Sequence, residues 1–240
     1  MEIIFIVSMK TIISHMFNEE YLLPFWLEHH ASIFDHGIII DYYSTDRSVE
    51  LIHKMCPTWT IVKTKNVKDG SANFEAALID REVNEIEKTI EGFKICLNIT
   101  EFFVELKKKP LKDIIYRIPI VSMMSTKNNP KNLEEFFQAD LFKMRHDRGC
   151  RTLHKKQFIR YIPGRHQIQD GQGDSLVDYD FVILWCELYP YNKKFVERKL
   201  QIQKNIPERD KKGGYGIQHF TTKEKLNIKY RELLAQHNHL

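Results

Sequence analysis

Polar side chains follow three short apolar segments in the first half of this 240-residue chain. The three groups are Asn18 with Glu19, Asp41 with Ser44, Thr45 and Asp46, and Asn98 with Thr100 and Glu101. In an open parallel sheet the ligand crevice lies beyond the carboxyl ends of the strands, so residues directly after strands are the first candidates for a site. A carboxylate such as Asp41 at a strand end can accept hydrogen bonds from a ribose hydroxyl or a base imide. The pattern therefore indicates a site that orients a nucleotide.

Several candidate residues also have a purely structural interpretation. Thr45 and Asp46 are residue types that are preferred as caps at the start of a helix. Arg165 and His166, in IPGRHQI, suit contact with phosphates, but they equally suit a solvated loop. The basic run KKFVERK is more typical of a solvated helix face than of an anion site. The sequence leaves these alternatives open.

The hydrophobic pattern places the candidates on alternating strands and helices. Residues 10–17 form a short apolar run rich in β-branched residues, which predicts a buried strand. Residues 21–34 carry apolar side chains at helical spacing, with Pro24 in the first turn. The alternation continues with a strand and a helix over 37–55, a strand over 58–64, a helix over 73–90 and a strand over 93–103. Such alternation predicts an α/β fold with a mainly parallel central sheet, flanked by helices.

The second half of the chain has a less regular pattern. It predicts a strand over 114–124, a helix over 132–142, a strand or hairpin over 151–162, a strand over 180–188, and helices over 192–206 and 221–237. The last of these helices begins at Thr and has Glu three residues on, which is typical of a capping box. A chain of this length can bury a substantial core as one unit, so we expect a single domain.

Composition narrows the classes of function. The net charge of +4 arises from 36 basic and 32 acidic residues, so the surface is mixed, and a nucleic-acid partner is not expected. The four cysteines lack the spacing of a zinc ribbon or of a disulfide-rich module, which predicts reduced thiols. The apolar run in MEIIFIVSMK is too short to span a bilayer and lacks the basic start of an export signal. We therefore expect no membrane span and a cytoplasmic location.

Two strings of residues carry a family resemblance. FNEEYLLPFWLEHH followed by IIIDYYSTDRSVELI resembles the beginning of family 2-like glycosyltransferases of GT-A fold. The pattern of that family is Asn-Glu, an apolar helix and then Asp-x-x-Ser-Thr-Asp-x-Ser. The resemblance covers residues 10–53 closely and extends to Phe103 through DREVNEI. With GGYGIQHF near the C-terminus, the chain is similar in particular to small glycosyltransferases encoded by large DNA viruses of algae, which would imply a host-cytoplasmic location.

The resemblance implies a GT-A-type, Rossmann-like domain in which 10–103 form the nucleotide-binding half and 104–240 the acceptor-side half. It implies that the donor nucleotide is bound by Asn18, Glu19, Asp41, Asp46, Arg81 and Asn84. The implied function is transfer of a sugar from a nucleoside diphosphate sugar, with UDP-sugars favoured, to a glycan or glycoprotein acceptor.

The metal motif of the family is altered in this chain. In the family the fourth strand ends in Asp-x-Asp-Glu-Phe, whose carboxylates hold Mn²⁺ or Mg²⁺ against the diphosphate. The matching string here is LNITEFF, so Asn98 and Thr100 occupy the two aspartate positions and Glu101 keeps its charge. Neutral oxygens bind a hard cation more weakly, so the use of a divalent cation is in doubt. His219, in GYGIQH, is the candidate third ligand of the metal or diphosphate, its alternative being a surface loop histidine.

Sugar transfer with inversion also needs a general base that deprotonates the acceptor hydroxyl. The candidates are Asp170, Asp174 and Glu187, and the sequence does not choose among them. Trp185, Tyr189 and Tyr191 lie near Glu187 and could stack on sugar rings, although Trp185 also fits a core strand. The alternative function is a catalytically impaired protein that binds a nucleotide sugar or glycan after loss of the metal carboxylates.

Overall fold

The structure is a computed structural model that describes residues 9–144, 149–162, 164–169, 173–216 and 219–237. Within these ranges, ten strands form one sheet, and a two-stranded ribbon lies apart from it. The sheet strands are β1 (Lys10–Met16), β2 (His36–Asp41), β3 (Thr60–Lys63), β6 (Phe93–Cys96), β7 (Glu101–Glu105), β8 (Ile115–Met124), β9 (Leu141–Met144), β10 (Cys150–His154), β11 (Ser175–Val177) and β12 (Phe181–Trp185), and the ribbon is β4 (Val67–Lys68) with β5 (Ser71–Ala72). The α/β class predicted from the sequence is confirmed.

Helices connect and flank these strands. They are α1 (Leu23–Ala31), α2 (Ser48–Met55), α3 (Ala76–Glu87), α4 (Leu133–Phe137), α5 (Lys193–Gln201), α6 (Glu208–Lys212) and α7 (Lys223–His237). Asn192 caps α5, because its side chain accepts a hydrogen bond from the backbone N–H of Phe195. Pro24 lies in the first turn of α1, where no amide donor is needed. Among the described residues, no helix is both long and apolar enough to cross a membrane.

The first half of the sheet is parallel, as predicted. β2 pairs with β3 on one side and with β1 on the other, and β1 pairs with β6, all in parallel. The buried isoleucines of these strands, among them Ile12, Ile39 and Ile95, pack into the main hydrophobic core. The carboxyl ends of β1, β2 and β6 consequently lie at the same edge of the sheet, which positions the loops after them.

The second half of the sheet is mixed. β10 lies between β6 and β8 and is antiparallel to both, while β12 runs parallel to β8 and antiparallel to β7. The strand predicted over 93–103 is two strands, β6 and β7, which occupy different places in the sheet. A turn over 98–101 separates them, closed by a hydrogen bond from Glu101 N–H to the carbonyl of Asn98. This turn carries the candidate metal motif.

Trp26 on α1 connects the hydrophobic core to the turn over 98–101. Its side chain is fully buried, and its indole N–H donates to the backbone carbonyl of Glu101 at 2.9 Å. Replacing Trp26 with Phe leaves this carbonyl without its donor, so we expect a loss of about 2 kcal/mol in the free energy of unfolding. Chemical denaturation measures the change. Trp59→Phe is the matched control, because within the described structure the Trp59 indole makes no side-chain hydrogen bond. An equal loss of unfolding free energy in both variants would contradict the expectation.

Candidate functional site

A cavity of about 340 Å³ lies at the carboxyl ends of β1 and β6. This volume is within the range of small-molecule sites. The strand ends contribute His15, Phe17, Glu19 and the turn Asn98–Glu101, and the end of β12 contributes Trp185, Cys186 and Glu187. Helices α3 and α5, the loop Gly164–His166 and the segment around Tyr215 form much of the remaining wall. Residues that are far apart in the sequence, between positions 15 and 219, therefore line the same cavity.

The cavity brings together six of the residues predicted for the site. They are Glu19, Asn98, Thr100, Glu101, Glu187 and His219. The cavity lining does not include Asn18, Asp41, Asp46, Arg81, Asn84 or Asp174. Asp170 lies outside the described residues. The predicted diphosphate residues and one of the base candidates, Glu187, thus line one cavity, whereas most of the predicted nucleotide contacts are not part of its lining.

Asn18 and Asp46 hold neighbouring loops together. The Asn18 side-chain carbonyl accepts hydrogen bonds from the backbone N–H groups of Thr45 (2.7 Å) and Asp46 (3.3 Å), which joins the end of β1 to the loop after β2. The Asp46 carboxylate accepts from the N–H groups of Glu20 (3.0 Å) and Ser48 (2.9 Å), the latter at the start of α2. Asp46 therefore fits the helix-start interpretation that the sequence left open.

Asp41 is fully buried at the end of β2. One carboxylate oxygen accepts from the backbone N–H of Ser44 at 2.9 Å, and the other forms an ion pair with Lys63. The pairing register makes Asp41 and Lys63 direct neighbours on β2 and β3. Both oxygens are thus engaged within the protein, and the role of Asp41 in binding a nucleoside stays a prediction.

On α3, the residues facing the cavity are Ala76, Ile79 and Asp80. Arg81, which the resemblance selected, is exposed, and Asn84 lies one turn further along the helix. Asp80 shares a face with Ala76, since residues four apart lie on the same side of a helix. The signal that could have identified Asp80 is an acidic residue on the apolar stripe of an amphipathic helix.

Glu101 forms a buried ion pair with Arg151 of β10. Arg151 donates from Nε to Oε2 at 2.9 Å and from Nη2 to Oε1 at 2.6 Å, and the two side chains are 1% and 2% exposed. Glu101 Oε2 also accepts from the backbone N–H of Asn98 at 2.9 Å. The charge of the predicted metal motif is therefore already matched by a guanidinium group.

Arg165 lies in the cavity wall, which resolves an alternative left open by the sequence. It is 4% exposed, so it is not a solvated loop residue, and its Nη1 lies 2.5 Å from Oδ1 of Asp80. The other oxygen of Asp80 accepts from the backbone N–H of Gly164 at 3.2 Å. Arg151 donates from Nη1 to the carbonyl of Gly164 at 2.7 Å. The loop that carries Arg165 is thus held by one ion pair and by two hydrogen bonds of the Gly164 backbone.

Arg198 of α5 is a site residue that sequence reasoning missed. It lines the cavity and binds both carboxylate oxygens of Glu19, with Nη2 at 2.5 Å from Oε1. The run KKFVERK is thus solvated at Lys193 and Lys194 but faces the cavity at Arg198 and Lys199. The available signal was a basic residue three positions after the buried Phe195, on the apolar face of the helix.

Two histidines of the cavity are uncharged at neutral pH. Burial, together with Arg165, Arg151 and Arg198, lowers the pKa of His15 to about 3. Burial, together with Lys199, Arg198 and His15, lowers the pKa of His219 to about 2. The Nδ1 atom of each ring is buried and, among the described residues, has no hydrogen-bond partner. A polar ligand in the cavity would supply one.

Glu187 is the candidate base that the structure places in the cavity. Its Oε2 accepts from the hydroxyl of Ser122 at 2.8 Å, and its Oε1 lies 2.6 Å from Nζ of Lys229 on α7. Asp174 is exposed and lies outside the cavity lining. Glu187 is therefore both oriented by its neighbours and accessible from the cavity.

The aromatic residues around Glu187 divide between core and cavity. Trp185 packs against the main core and also lines the cavity, where stacking on a sugar ring stays a prediction. Tyr189 is buried, and its hydroxyl donates to the carbonyl of Phe136. Tyr191 stacks on Tyr230 with ring centroids 4.2 Å apart. Neither tyrosine lines the cavity, so stacking on a sugar is not the role that these positions support.

An apolar wall completes the cavity near the end of β1. Phe17 and Phe74 both line it, with ring centroids 5.4 Å apart in an edge-to-face arrangement. Behind them, Phe74 stacks on the buried Tyr42 with centroids 4.9 Å apart. This wall offers aromatic side chains of the kind that planar ligands contact.

No family model and no curated protein matches this sequence. Among solved structures, the chain is similar to two crystal structures of S. aureus TarS 1–349. The structure in complex with UDP is 15% identical over 61% of this chain and 46% of the TarS chain, with a TM-score of 0.38. The other is 13% identical over 82% of this chain and 65% of the TarS chain, with a TM-score of 0.44. The chain spans less than two thirds of the length of either TarS chain.

Proposed function

We propose that this protein is a glycosyltransferase that binds a nucleoside diphosphate sugar in the cavity and transfers the sugar to a glycan or glycoprotein acceptor. The observation that carries the proposal is the convergence of the Asn98–Glu101 turn, the Glu187 carboxylate, the buried Arg165 and the partly exposed Arg198 on one cavity. These groups match the three needs of the reaction, which are a place for the diphosphate, positive charge and a base.

The nucleobase, the diphosphate and the sugar of the donor each lie against a different part of the cavity wall. The nucleobase lies against the aromatic surface of Phe17 and Phe74, since a planar base stacks well on such side chains. The diphosphate lies near the Asn98–Glu101 turn and the arginines. The sugar then points toward Glu187. UDP-sugars are the favoured donors, because the resemblance in the first half of the chain implies them.

Glu187 is the proposed general base. It accepts the proton of the acceptor hydroxyl while the acceptor oxygen bonds to the anomeric carbon and the bond from that carbon to the diphosphate oxygen breaks. Ser122 and Lys229 fix the orientation of the carboxylate, which lowers the entropic cost of reaching the reactive geometry.

Binding of a nucleotide is the direct test of this proposal. We expect isothermal titration calorimetry with UDP, GDP and their sugars to detect binding of at least one, and the same ligand to raise the melting temperature. UMP is the control, since a ligand without the second phosphate should bind more weakly. Absence of binding by all of these ligands would overturn the proposal.

The alternative is a protein that binds the donor without turning it over, and the neutral Asn98 and Thr100 favour it. Both functions require binding of the donor, and only the transferase breaks the bond between the sugar and the diphosphate. Release of UDP from a bound UDP-sugar, in the presence of glycan acceptors or water, supports the transferase. Binding with no release under any of these conditions supports the alternative.

A further inference from the structure

The turn over 98–101 offers a poor set of ligands for a divalent cation. Asn98 and Thr100 supply neutral oxygens, and both oxygens of Glu101 accept hydrogen bonds from Arg151. A cation on Glu101 would lie beside a buried guanidinium group, and two positive charges at short range repel strongly where water is excluded. In the part of the chain that is described, no three His, Cys, Asp or Glu side chains are grouped so as to hold a metal ion. The residues present do not fit Mn²⁺ or Mg²⁺.

The same cavity does fit an anion. Arg165, Arg198 and Lys199 line it, and two of the carboxylates that also line it, Asp80 and Glu19, are paired with Arg165 and Arg198. Arg165 is 4% exposed and uses Nη1 for Asp80, but its Nε–H is buried and finds no hydrogen-bond partner within the described residues. Leaving a charged donor unpaired in the interior is costly, so a bound acceptor would restore a lost interaction. Phosphate oxygens are strong acceptors for guanidinium groups.

The backbone around Arg165 holds this donor in place. Arg165 has a φ of 58°, a left-handed conformation that is uncommon for residues other than glycine, and Gly164 before it has a φ of 91°. Asp80 accepts hydrogen bonds from both residues and so holds the conformation. Strained backbone that is fixed by its surroundings is typical of ligand-binding loops.

The charged groups that lower the pKa of the cavity histidines are also cations. The pKa of both His15 and His219 is lowered first by burial and then by arginine or lysine side chains. Both rings are neutral, so they can donate or accept one hydrogen bond without adding charge. This environment suits an anionic ligand with polar oxygens.

We propose that Arg165, supported by Arg198 and Lys199, binds the donor diphosphate directly and that no divalent cation takes part. This inference rests on the proposed function. The guanidinium groups then donate hydrogen bonds to the leaving nucleoside diphosphate, whose bridging oxygen keeps the electron pair of the bond to the anomeric carbon. Arg165 and Arg198, each paired with a carboxylate of the protein, take the place that a metal ion would have against the diphosphate.

The first arm of the test measures the metal dependence of binding. The full chain is titrated with UDP and with GDP, once in excess EDTA and once with saturating Mn²⁺. We expect the same dissociation constant in both buffers. Binding that is detected with Mn²⁺ and lost in EDTA overturns this inference and leaves the proposed function standing.

The second arm tests Arg165. Arg165→Lys keeps the charge opposite Asp80 but loses the Nε–H donor and the planar fork, so we expect binding at least about tenfold weaker in EDTA. Arg160→Lys is the matched control, because Arg160 is exposed and lies outside the cavity lining. The double variant D80N/R165Q removes both partners of the ion pair, which protects the fold from an unpaired buried charge.

The outcomes separate the two proposals. Weaker binding by Arg165→Lys and by D80N/R165Q, with Arg160→Lys unchanged, supports the inference. Full affinity in both Arg165 variants overturns it, whatever the metal dependence. No binding of UDP or GDP to the unaltered chain in either buffer overturns the proposed function and this inference together.

Discussion

Replacement of Glu187 with glutamine is expected to lower the rate of sugar transfer by about 10²–10⁴-fold, the usual contribution of a general base. Glutamine has nearly the same shape and can still accept the hydrogen bond from Ser122, so the change removes the basic oxygen and little else. The charge of Lys229 stays solvated, since its side chain is 47% exposed. The dissociation constant for UDP should not change, because the base acts on the acceptor.

Asp174→Asn is the matched control for this prediction. Asp174 was an equal candidate on sequence grounds, but it is exposed and lies outside the cavity. Transfer rates of both variants are compared at saturating donor, and thermal unfolding confirms that each is folded. A normal rate in Glu187→Gln, or a large loss in Asp174→Asn, would show that Glu187 is not the base.

Replacement of Arg151 with methionine is expected to lower the free energy of unfolding by about 3–5 kcal/mol. The change leaves the carboxylate of Glu101 buried without its partner, and it also removes a hydrogen bond to the carbonyl of Gly164. For a chain of this size, the loss corresponds to a fall in melting temperature on the order of 10 °C. Chemical denaturation and differential scanning calorimetry measure the two quantities.

The double variant E101Q/R151M separates the unpaired charge from the lost packing. It has no buried charge at this position, and the glutamine that replaces Glu101 can still accept from the N–H of Asn98, so most of the stability should return. If the double variant is as unstable as Arg151→Met, packing and not charge is the cause. If Arg151→Met stays within about 1 kcal/mol of the unaltered chain, the ion pair is not buried as described.

The first strands and helices could be predicted from the sequence because local signals determine them. The run of residues 10–17 and the helical stripe beginning at Leu22 each bury one continuous set of apolar side chains. The division of 93–103 into two strands was not predicted, since the only turn-favouring residue of LNITEFF is Asn98 and the segment has no Gly or Pro. Long-range contacts of Glu101 form that turn.

The carboxylates of the site were easier to locate than their basic partners. Glu19, Glu101 and Glu187 follow or begin strands, and strand ends can be recognised in a sequence. Arg151 and Arg198 can be recognised as site residues only when the strand and helix that carry them are packed against the first half of the chain. These pairs join residues 50 and 179 positions apart, and no local pattern encodes such a distance.

The resemblance to the family selected two residues on α3, and their role stays a prediction. It selected Arg81 and Asn84 on α3, whereas Asp80 is the residue of this helix that contacts the cavity loop. A helix advances about 100° per residue, so Arg81 lies on a different side of α3 from Asp80, whereas Asn84 lies on the same side one turn further along. The contact of Arg81 and Asn84 with a nucleotide stays a prediction. Motif matching by sequence alone does not fix the rotation of a helix.

The strand order limits how this chain can be recombined. β10 lies between β6 and β8, and β7 pairs with β12 at the far end of the sheet path. A junction after residue 103 therefore cuts through β7 and takes away the strand that covers one side of β6. A chimaera that joins residues 10–103 to a foreign second half would have to reproduce both pairings, so acceptor specificity is better changed by replacing loops than by exchanging halves.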